Sequence, residues 1–284
     1  MGNAATRNQA CFSTRCGGGT IDAAFLFMDD SASPETHIVS LSGITVFITE
    51  YSRLRDNFYR SLAWAIQPGE RVVNLYPPEL HGSNLLRDCP GDVDDELRMR
   101  VLSDIVSLVV ENGLDIWRVG YYTSPKMRRL FPRNEHVLGF CWSGMLAILE
   151  PVLADSYVIP VMDSCNQLTS SLISQAVRCL DVGRQTDIRH SLVVRHSENI
   201  IGEVFYADSR YAAFTQVADI VAYLRHVADL EREGKRLSGF KRELLKLAVR
   251  LEPAVAAEHV VALRFDGQKI AGGEGYKHVR VPAT

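Results

Sequence analysis

Short β-branched, apolar runs alternate with segments of helical periodicity along most of this chain, which constrains the fold more than any single motif. Strands are predicted at about 24–28, 38–48, 71–76, 114–122, 157–162, 188–194, 204–206 and 260–265. Helices are predicted at about 51–66, 97–112, 135–153, 168–180, 211–233 and 240–251. Because the first two strands are joined by a short turn and the later ones alternate with helices, we expect one α/β domain with a mixed sheet flanked by helices.

The chain shows no internal repeat and no Pro/Ser-rich linker that would divide its 284 residues into two domains. Residues 1–20 lack periodicity and contain three consecutive glycines near their end, which predicts a flexible N-terminal tail. We therefore expect a single domain over residues 21–284, with C-terminal helical additions from about residue 236.

Composition excludes several protein classes. With 31 basic and 34 acidic residues the net charge is −3, which argues against a generally polycationic nucleic-acid binder. The six cysteines show no Cys-x-x-Cys spacing, so a zinc ribbon or a redox dithiol has no support and reduced thiols in a cytoplasmic protein are expected. Apolar runs are interrupted well before the roughly 18 residues needed to cross a bilayer, so no membrane association is expected.

One helical segment carries an acid where a fold does not favour one. Residues 214–223 are apolar or alanine at nearly every position, yet Asp219 lies in the middle, with Gln216 one turn earlier. A lone buried carboxylate is costly unless it is paired or binds a metal. The alternative interpretation is that Asp219 faces solvent or pairs with Arg225 or Arg210.

Further acids follow the predicted strands, where the rim of an α/β sheet commonly forms a binding crevice. These acids are Asp29, Glu79, Asp163 and Asp208. Converging carboxylates repel one another without a cation, whereas Mg²⁺ or Mn²⁺ uses them as hard oxygen ligands. A pair of such ions can activate water and stabilise the leaving oxygen of a phosphodiester. Aspartate at strand ends is also an ordinary turn and cap residue.

Four short motifs resemble those of the domain of unknown function 3800 family. Phe27-Met28-Asp29-Asp30-Ser31 is similar to its strand-end Asp-Glu-Ser motif, and Glu79-Leu80-His81-Gly82 is similar to Glu-x-His. Asp208-Ser209 and the segment from Gln216 to Ala222 are similar to Asp-Ser and Gln-x-Ala-Asp-x-x-Ala. The resemblance spans roughly residues 23–223. Asp30 stands where Glu is usual in the family, and Ala32 where Gly is usual.

The resemblance implies a ribonuclease-H-like fold with an acidic site built from the first strand, a middle carboxylate, a later strand and the C-terminal helix. It implies Asp29, Glu79, Asp163 and Asp219 as metal ligands, with Asp208 nearby and His81 orienting water or moving a proton. Ser31, Ser209 and Gln216 are the supporting residues. The family is typical of bacteria and their phages, so a prokaryotic or phage source is expected.

Basic residues gather in two places, and either group is a candidate for contacting the phosphates of a nucleic acid. The candidates are Lys126, Arg128 and Arg129 in the first group and Lys241 and Arg242 in the second. The second group contains an interspersed glutamate, which also suits ordinary ion pairs on a solvated helix face.

The sequence thus predicts a hydrolase, a Mg²⁺- or Mn²⁺-dependent nuclease or related phosphodiesterase. Two alternatives remain. One is a non-catalytic interaction module in which the acidic site is degenerate. The other is a hydrolase with Cys141 as nucleophile in a nucleophile elbow at 139–144, served by Asp163 and either His190 or His196. In that segment Ser143 replaces the second glycine that the elbow requires.

Overall fold

The computed structural model describes residues 22–33, 35–62, 95–149, 156–163, 204–208, 212–266 and 269–279. The strands are β1 (Asp22–Ser33), β2 (Ile38–Phe47), β3 (Asp115–Tyr122), β4 (Ser156–Asp163), β5 (Phe205–Ala207), β6 (Val255–Asp266) and β7 (Lys269–Val279). The helices are α1 (Ile48–Leu62), α2 (Asp95–Glu111), α3 (Pro125–Leu130), α4 (Asn134–Leu149), α5 (Ala213–Arg232) and α6 (Gly239–Arg250), and a 3₁₀ turn (Glu252–Ala254) precedes β6.

The strands form one mixed sheet in the order β5-β4-β1-β2-β3-β6-β7. Strand β2 is antiparallel to β1 and β3, and β7 is antiparallel to β6. The remaining neighbours, β1 with β4, β4 with β5 and β3 with β6, pair in parallel. Strands β1, β3, β4, β5 and β6 therefore run in one direction, and their C-terminal ends lie along one side of the sheet, which we call the carboxyl edge. The expected α/β class with a mixed sheet is confirmed.

Helices cover both faces of the sheet because side chains alternate between the two faces along each strand. One core joins Phe27 and Ile44 to apolar residues of α1, α2, α5 and α6. The other core joins Leu26, Met28 and Trp117 to α3 and α4. Within the described ranges, no helix has the length and apolar character needed to cross a membrane.

Strand β2 and helices α2, α4, α5 and α6 lie where the sequence predicts them, within a few residues, whereas β1 extends to Ser33 and does not end before Asp29 as predicted. Helix α1 begins at Ile48, directly after β2 and three residues before the predicted start at residue 51. Gly113, at φ 65°, ends α2 in the left-handed region that glycine adopts without strain. The predicted strands at 71–76 and 188–194, the predicted helix at 168–180 and the N-terminal tail lie outside the described residues.

Two elements are absent from the sequence prediction. Helix α3 has only six residues, too few for a visible period, although Ser124 accepts a hydrogen bond from the Met127 N–H (3.2 Å) and Pro125 follows. Strand β7 contains three glycines and lacks a clear alternation, and its pairing with β6 supplies what local propensity does not. The expectation of helical C-terminal additions is therefore incomplete, because β6 and β7 also extend the sheet.

Candidate functional site

The carboxyl edge brings together three of the predicted acids. In the parallel pair of β1 and β4, Met28 is the register partner of Met162, so Asp29 and Asp163 each follow that pair by one residue and point to the same face. Asp163 is in turn the partner of Ala207, which Asp208 follows directly. Asp29 thus lies level with Asp163 and Asp208 at the ends of the two neighbouring parallel strands, although β1 itself continues to Ser33.

Helix α5 places Asp219 against Asp29, and this pair is the centre of the candidate site. The helix packs on β1 and β2 through Phe214, Val217 and Val221. Burial raises the pKa of Asp29 well above its usual value, and the charges of Asp219 and Asp30 raise it further. A hydrogen bond between the Asp29 and Asp219 side chains acts in the same direction, so the protonated form of Asp29 is favoured.

Asp30 extends this acidic centre. It points to the other face of the sheet from Asp29, because the two residues are adjacent in a strand. Burial raises the pKa of Asp30, and the charges of Glu135, in the first turn of α4, and Asp219 raise it further. Carboxylates from β1, α4 and α5 therefore concentrate negative charge here, the condition that a bound cation relieves.

A cavity of about 310 Å³ lies beside this centre. It is lined by Asp30, Ser31, Ala32, Glu35, Asp219, Tyr223 and His226. Its walls therefore come from the end of β1, the turn that follows β1, and one side of α5. A ligand in the cavity would contact Asp219 directly.

The supporting residues that the resemblance implies take up different positions. Ser31 lines the cavity, and its Oγ lies 3.4 Å from Ser40 Oγ on β2. Gln216 is buried on α5, one turn before Asp219. Ser42, the register partner of Asp29, is fully buried, and its Oγ has no hydrogen-bonding partner among the described residues. No motif or pattern marks Ser42 in the sequence. Its hydroxyl places a polar oxygen next to the carboxylate pair.

The donor chemistry of the site suits a hard cation, because Asp29 and Asp219 offer carboxylate oxygens of the kind that Mg²⁺ and Mn²⁺ prefer. Among the residues that the structure describes, no three His, Cys, Asp or Glu side chains are grouped so as to hold a metal ion. Glu79, the predicted middle carboxylate, lies outside the described residues, as do His81 and Ser209. A complete metal centre therefore remains a prediction.

The two basic groups lie at different distances from the cavity. In the first turn of α6, Lys241 Nζ lies 3.8 Å from an Oε of Glu35, which lines the cavity, whereas Arg242 lies on the same helix without lining it. The other candidates, Lys126, Arg128 and Arg129, lie on α3. This helix follows the C-terminal end of β3 and therefore starts at the carboxyl edge, two strands or about 10 Å from β1. Arg128 also donates a hydrogen bond to Asn134 Oδ1 (2.7 Å).

Cys141 does not occupy the strand-to-helix turn that a nucleophile elbow needs. It lies inside α4, is completely buried, and its Sγ donates to the carbonyl oxygen of Val39 (3.4 Å). Burial raises the pKa of the thiol far above its usual value, which suppresses the reactive thiolate. The two candidate histidine partners, His190 and His196, lie outside the described residues. Cys141 is thus placed as a core residue, and its position in the middle of a helix does not support the elbow interpretation.

We expect Cys141 in the folded protein to react with iodoacetamide at least about tenfold more slowly than in urea, since the thiol is buried and protonated. Mass spectrometry of the peptide that carries Cys141, sampled over time, measures both rates. Modification at similar rates in the two conditions would contradict the burial of this side chain.

A buried cluster of charges lies on the same sheet face as Asp29 and was not foreseen from the sequence. We define the ion-pair cluster as Arg118, Arg225, Asp229 and Glu258, each at most 1% exposed. Arg118 donates to both carboxylate oxygens of Asp229, at 3.0 and 2.5 Å, and to Glu258 at 2.9 Å. Tyr276 on β7 donates to Asp229 Oδ1 (2.7 Å).

The ion-pair cluster corrects one interpretation of Asp219. Arg225, the alternative partner for Asp219, instead pairs with Glu258 (2.6 Å) and Glu252 (2.8 Å), and Arg210 lies outside the described residues. In the sequence, a charged residue inside an apolar run is the pattern that could have indicated this cluster. Arg118 shows that pattern, because it lies between Trp117 and Val119.

The cluster also reaches the cavity. Arg118 donates to Ser40 Oγ (3.0 Å), the neighbour of Ser31 Oγ in the cavity wall. The site therefore consists of a hydrogen-bonded carboxylate pair, further acids at the carboxyl edge, and a cavity connected by hydrogen bonds to a buried ion-pair cluster. No protein family, no curated protein and no solved structure matches the chain.

Proposed function

We propose that this protein is a Mg²⁺- or Mn²⁺-dependent nuclease or related phosphodiesterase with a ribonuclease-H-like fold. The observation that carries the proposal is the contact between Asp29 on β1 and Asp219 on α5, two acids 190 residues apart in the chain. The resemblance to the 3800 family implies this combination of a first-strand acid and a C-terminal helix acid. Charge repulsion within the pair supplies a physical reason to bind a cation.

In the proposed site, Asp29 and Asp219 hold the metal and Glu79 is its predicted third ligand. Asp163 or Asp208 is the further predicted ligand, although neither is grouped with Asp29 and Asp219 in the described part of the chain. The metal, when bound, lowers the pKa of water and polarises a phosphoryl oxygen. The protein contributes fixed carboxylates on two packed elements, so their geometry costs little reorganisation during the reaction. The buried Ser42 Oγ, on the register partner of Asp29, adds a further polar oxygen to the site.

A nucleic acid is the proposed partner on the basis of charge placement. Lys126, Arg128 and Arg129 on α3 lie at the same edge as the acids, and Lys241 adjoins the cavity through Glu35. A phosphate backbone bridging these positions would place a phosphodiester at Asp29 and Asp219. Affinity that depends on such contacts falls as the salt concentration rises.

We expect the wild-type protein to cleave at least one of single-stranded RNA, single-stranded DNA, duplexes or RNA–DNA hybrids in Mg²⁺ or Mn²⁺. Asp29→Asn and Asp219→Asn should each lower the rate by about 10³-fold or more, equivalent to about 4 kcal/mol of transition-state stabilisation. Gel analysis of labelled substrates measures the rates. Asp56→Asn, on the exposed surface of α1, is the matched control and should cleave as the wild type does.

Equal cleavage by the wild type and both site variants would overturn the proposal, because activity would then come from another site or a contaminant. Calorimetric titration with Mn²⁺ separates the remaining alternative. A non-catalytic module with a degenerate site should bind Mn²⁺ weakly or not at all, and should lack cleavage in every metal tested.

A further inference from the structure

Helix α5 exposes a single line of side chains. From Ala213 to Leu230 all residues are buried except Asp219, Tyr223 and His226, which are partly exposed. Their spacing of four and three residues places them on one side of the helix. All three line the cavity beside the carboxylate pair. The exposed line on α5 is therefore the cavity wall, and it carries two rings next to the proposed metal ligand.

The two rings in the cavity wall pack edge to face. Tyr223 and His226 have ring centroids 5.9 Å apart and an interplanar angle of 69°. Burial lowers the pKa of His226, and Asp229, Glu35, Arg118 and Lys241 are the charged groups that act on it. A neutral imidazole at pH 7 can lie against a base or sugar and donate one hydrogen bond.

The opposite wall is polar. Ser31 and Glu35 carry side-chain oxygen atoms that accept hydrogen bonds from sugar hydroxyls or base amino groups. Lys241, near Glu35, adds a positive charge at the rim. A volume of about 310 Å³ is at the lower end of ligand sites, enough for one nucleotide and too small for a base pair.

The distance along α5 from Asp219 to His226 matches the size of one nucleotide. Asp219 and His226 are seven residues apart, which is about 10 Å along the helix axis. A phosphate bridged to Asp219 by a bound cation would leave the attached sugar and base beside Tyr223 and His226. We propose that the cavity binds one unpaired nucleotide next to the scissile phosphate, with Tyr223 and His226 as its contacts, so that the protein selects single strands over duplexes.

This inference rests on the proposed function for its choice of nucleic acid, but its test measures binding alone. The probes are short, fluorescently labelled single-stranded RNA and DNA oligonucleotides and the matching duplexes, with binding in Ca²⁺ followed by anisotropy. The wild type should bind at least one single strand about tenfold more tightly than the corresponding duplex. Tyr223→Ala and His226→Ala should each weaken that binding about tenfold, the size of effect that loss of one base–ring contact produces.

Matched controls come from rings of the same type elsewhere. Tyr157 lies near the N-terminal end of β4, away from the carboxyl edge, and His278 lies on β7; both side chains are exposed. The control variants are Tyr157→Ala and His278→Ala. These variants should bind within about twofold of the wild type. Tyr223→Phe keeps the ring and should also bind as the wild type does, whereas Tyr223→Leu should behave like Tyr223→Ala even when its thermal unfolding is unchanged.

Wild-type-like single-strand binding by Tyr223→Ala and His226→Ala would overturn the inference, and so would equal or tighter binding of duplexes. If Tyr223→Phe loses binding as Tyr223→Ala does, the ring is not the contact and the inference also fails. A different result identifies failure of the proposed function: binding shows the expected pattern, yet no substrate is cleaved in Mg²⁺ or Mn²⁺.

Discussion

In metal-free protein near pH 7, Asp29→Asn should raise the free energy of unfolding by on the order of 1 kcal/mol. The wild-type pair must either keep a proton or hold two negative charges together in a buried place. In the variant, the side-chain amide at position 29 would donate to Asp219 without needing that proton. Chemical denaturation by urea measures the difference. Asp56→Asn on the surface of α1 controls for the loss of one negative charge and should leave stability unchanged.

The pH dependence of the free energy of unfolding tests the direction of this stability difference. The pKa of Asp29 is raised in the folded state, so its contribution to stability is present at acid pH and is lost as the pH rises through the folded-state value. The advantage of Asp29→Asn over the wild type should therefore grow as the pH rises from about 5 to about 8. The pKa of Asp30 is also raised, so Asp30 changes stability with pH in the same direction in the wild type and in the variant. A difference that shrinks over this range would contradict the assignment.

Metal should reverse the order of stability. A ligand that binds only the folded state at one hundred times its Kd adds about 2.7 kcal/mol to the free energy of unfolding. Wild-type protein should gain this stabilisation in Mg²⁺ or Mn²⁺, and Asp29→Asn and Asp219→Asn should gain little of it. Equal stabilisation of all three proteins by metal would place the bound cation away from these residues.

Sequence reasoning located the acids of the site because a strand end and a buried helix leave few places for a carboxylate. The strand that carries Asp29 stops being apolar at that residue, and Asp219 interrupts an apolar helix. Both signals are local, and the structure places the two side chains in contact. Parallel pairing then brings Asp163 level with Asp29, a result that depends on which strands are neighbours.

Features that depend on contacts between residues far apart in the chain could not be predicted from the sequence. Arg118 is unsuited to a buried strand until Asp229 and Glu258, more than 100 residues away, supply its counter-charges. Strand β7 forms against β6 despite its glycines. The cavity wall on α5 has helical spacing in the sequence, but its exposure follows from what the other sides of the helix pack against. Periodicity predicts faces of elements, whereas tertiary neighbours decide which face remains open.

Removing one partner of the ion-pair cluster should be the most damaging single change to stability. Asp229→Ala should lower the free energy of unfolding by about 3–5 kcal/mol, since Arg118 would keep its charge in the core with Glu258 as its remaining counter-ion. Lys246→Ala is the control, because its pair with Glu243 on α6 is exposed and should contribute at most about 1 kcal/mol. Urea denaturation of both variants measures these effects.

Removing both partners should cost less than removing one. In Arg118→Met/Asp229→Leu the unpaired charge is replaced by apolar side chains, a change that is often close to neutral in a buried site. The double variant should therefore be more stable than Asp229→Ala, and a double-mutant cycle would give the coupling between the two side chains. A double variant as unstable as the sum of the single ones would mean that the pair is not coupled.

Acid unfolding supplies an independent measurement of the same cluster. Burial raises the pKa of Glu258, but Arg118 and Arg225 more than offset this and hold it at about 2. A lowered pKa contributes stability that is present above the unfolded-state value, near 4.5, and is lost as the pH falls toward 2. Without Arg118 the Glu258 carboxylate is less favoured, so the double variant should unfold at a higher pH than the wild type. An unchanged acid transition would show that Arg225 alone keeps Glu258 ionised, and that Arg118 serves mainly Asp229 and Ser40.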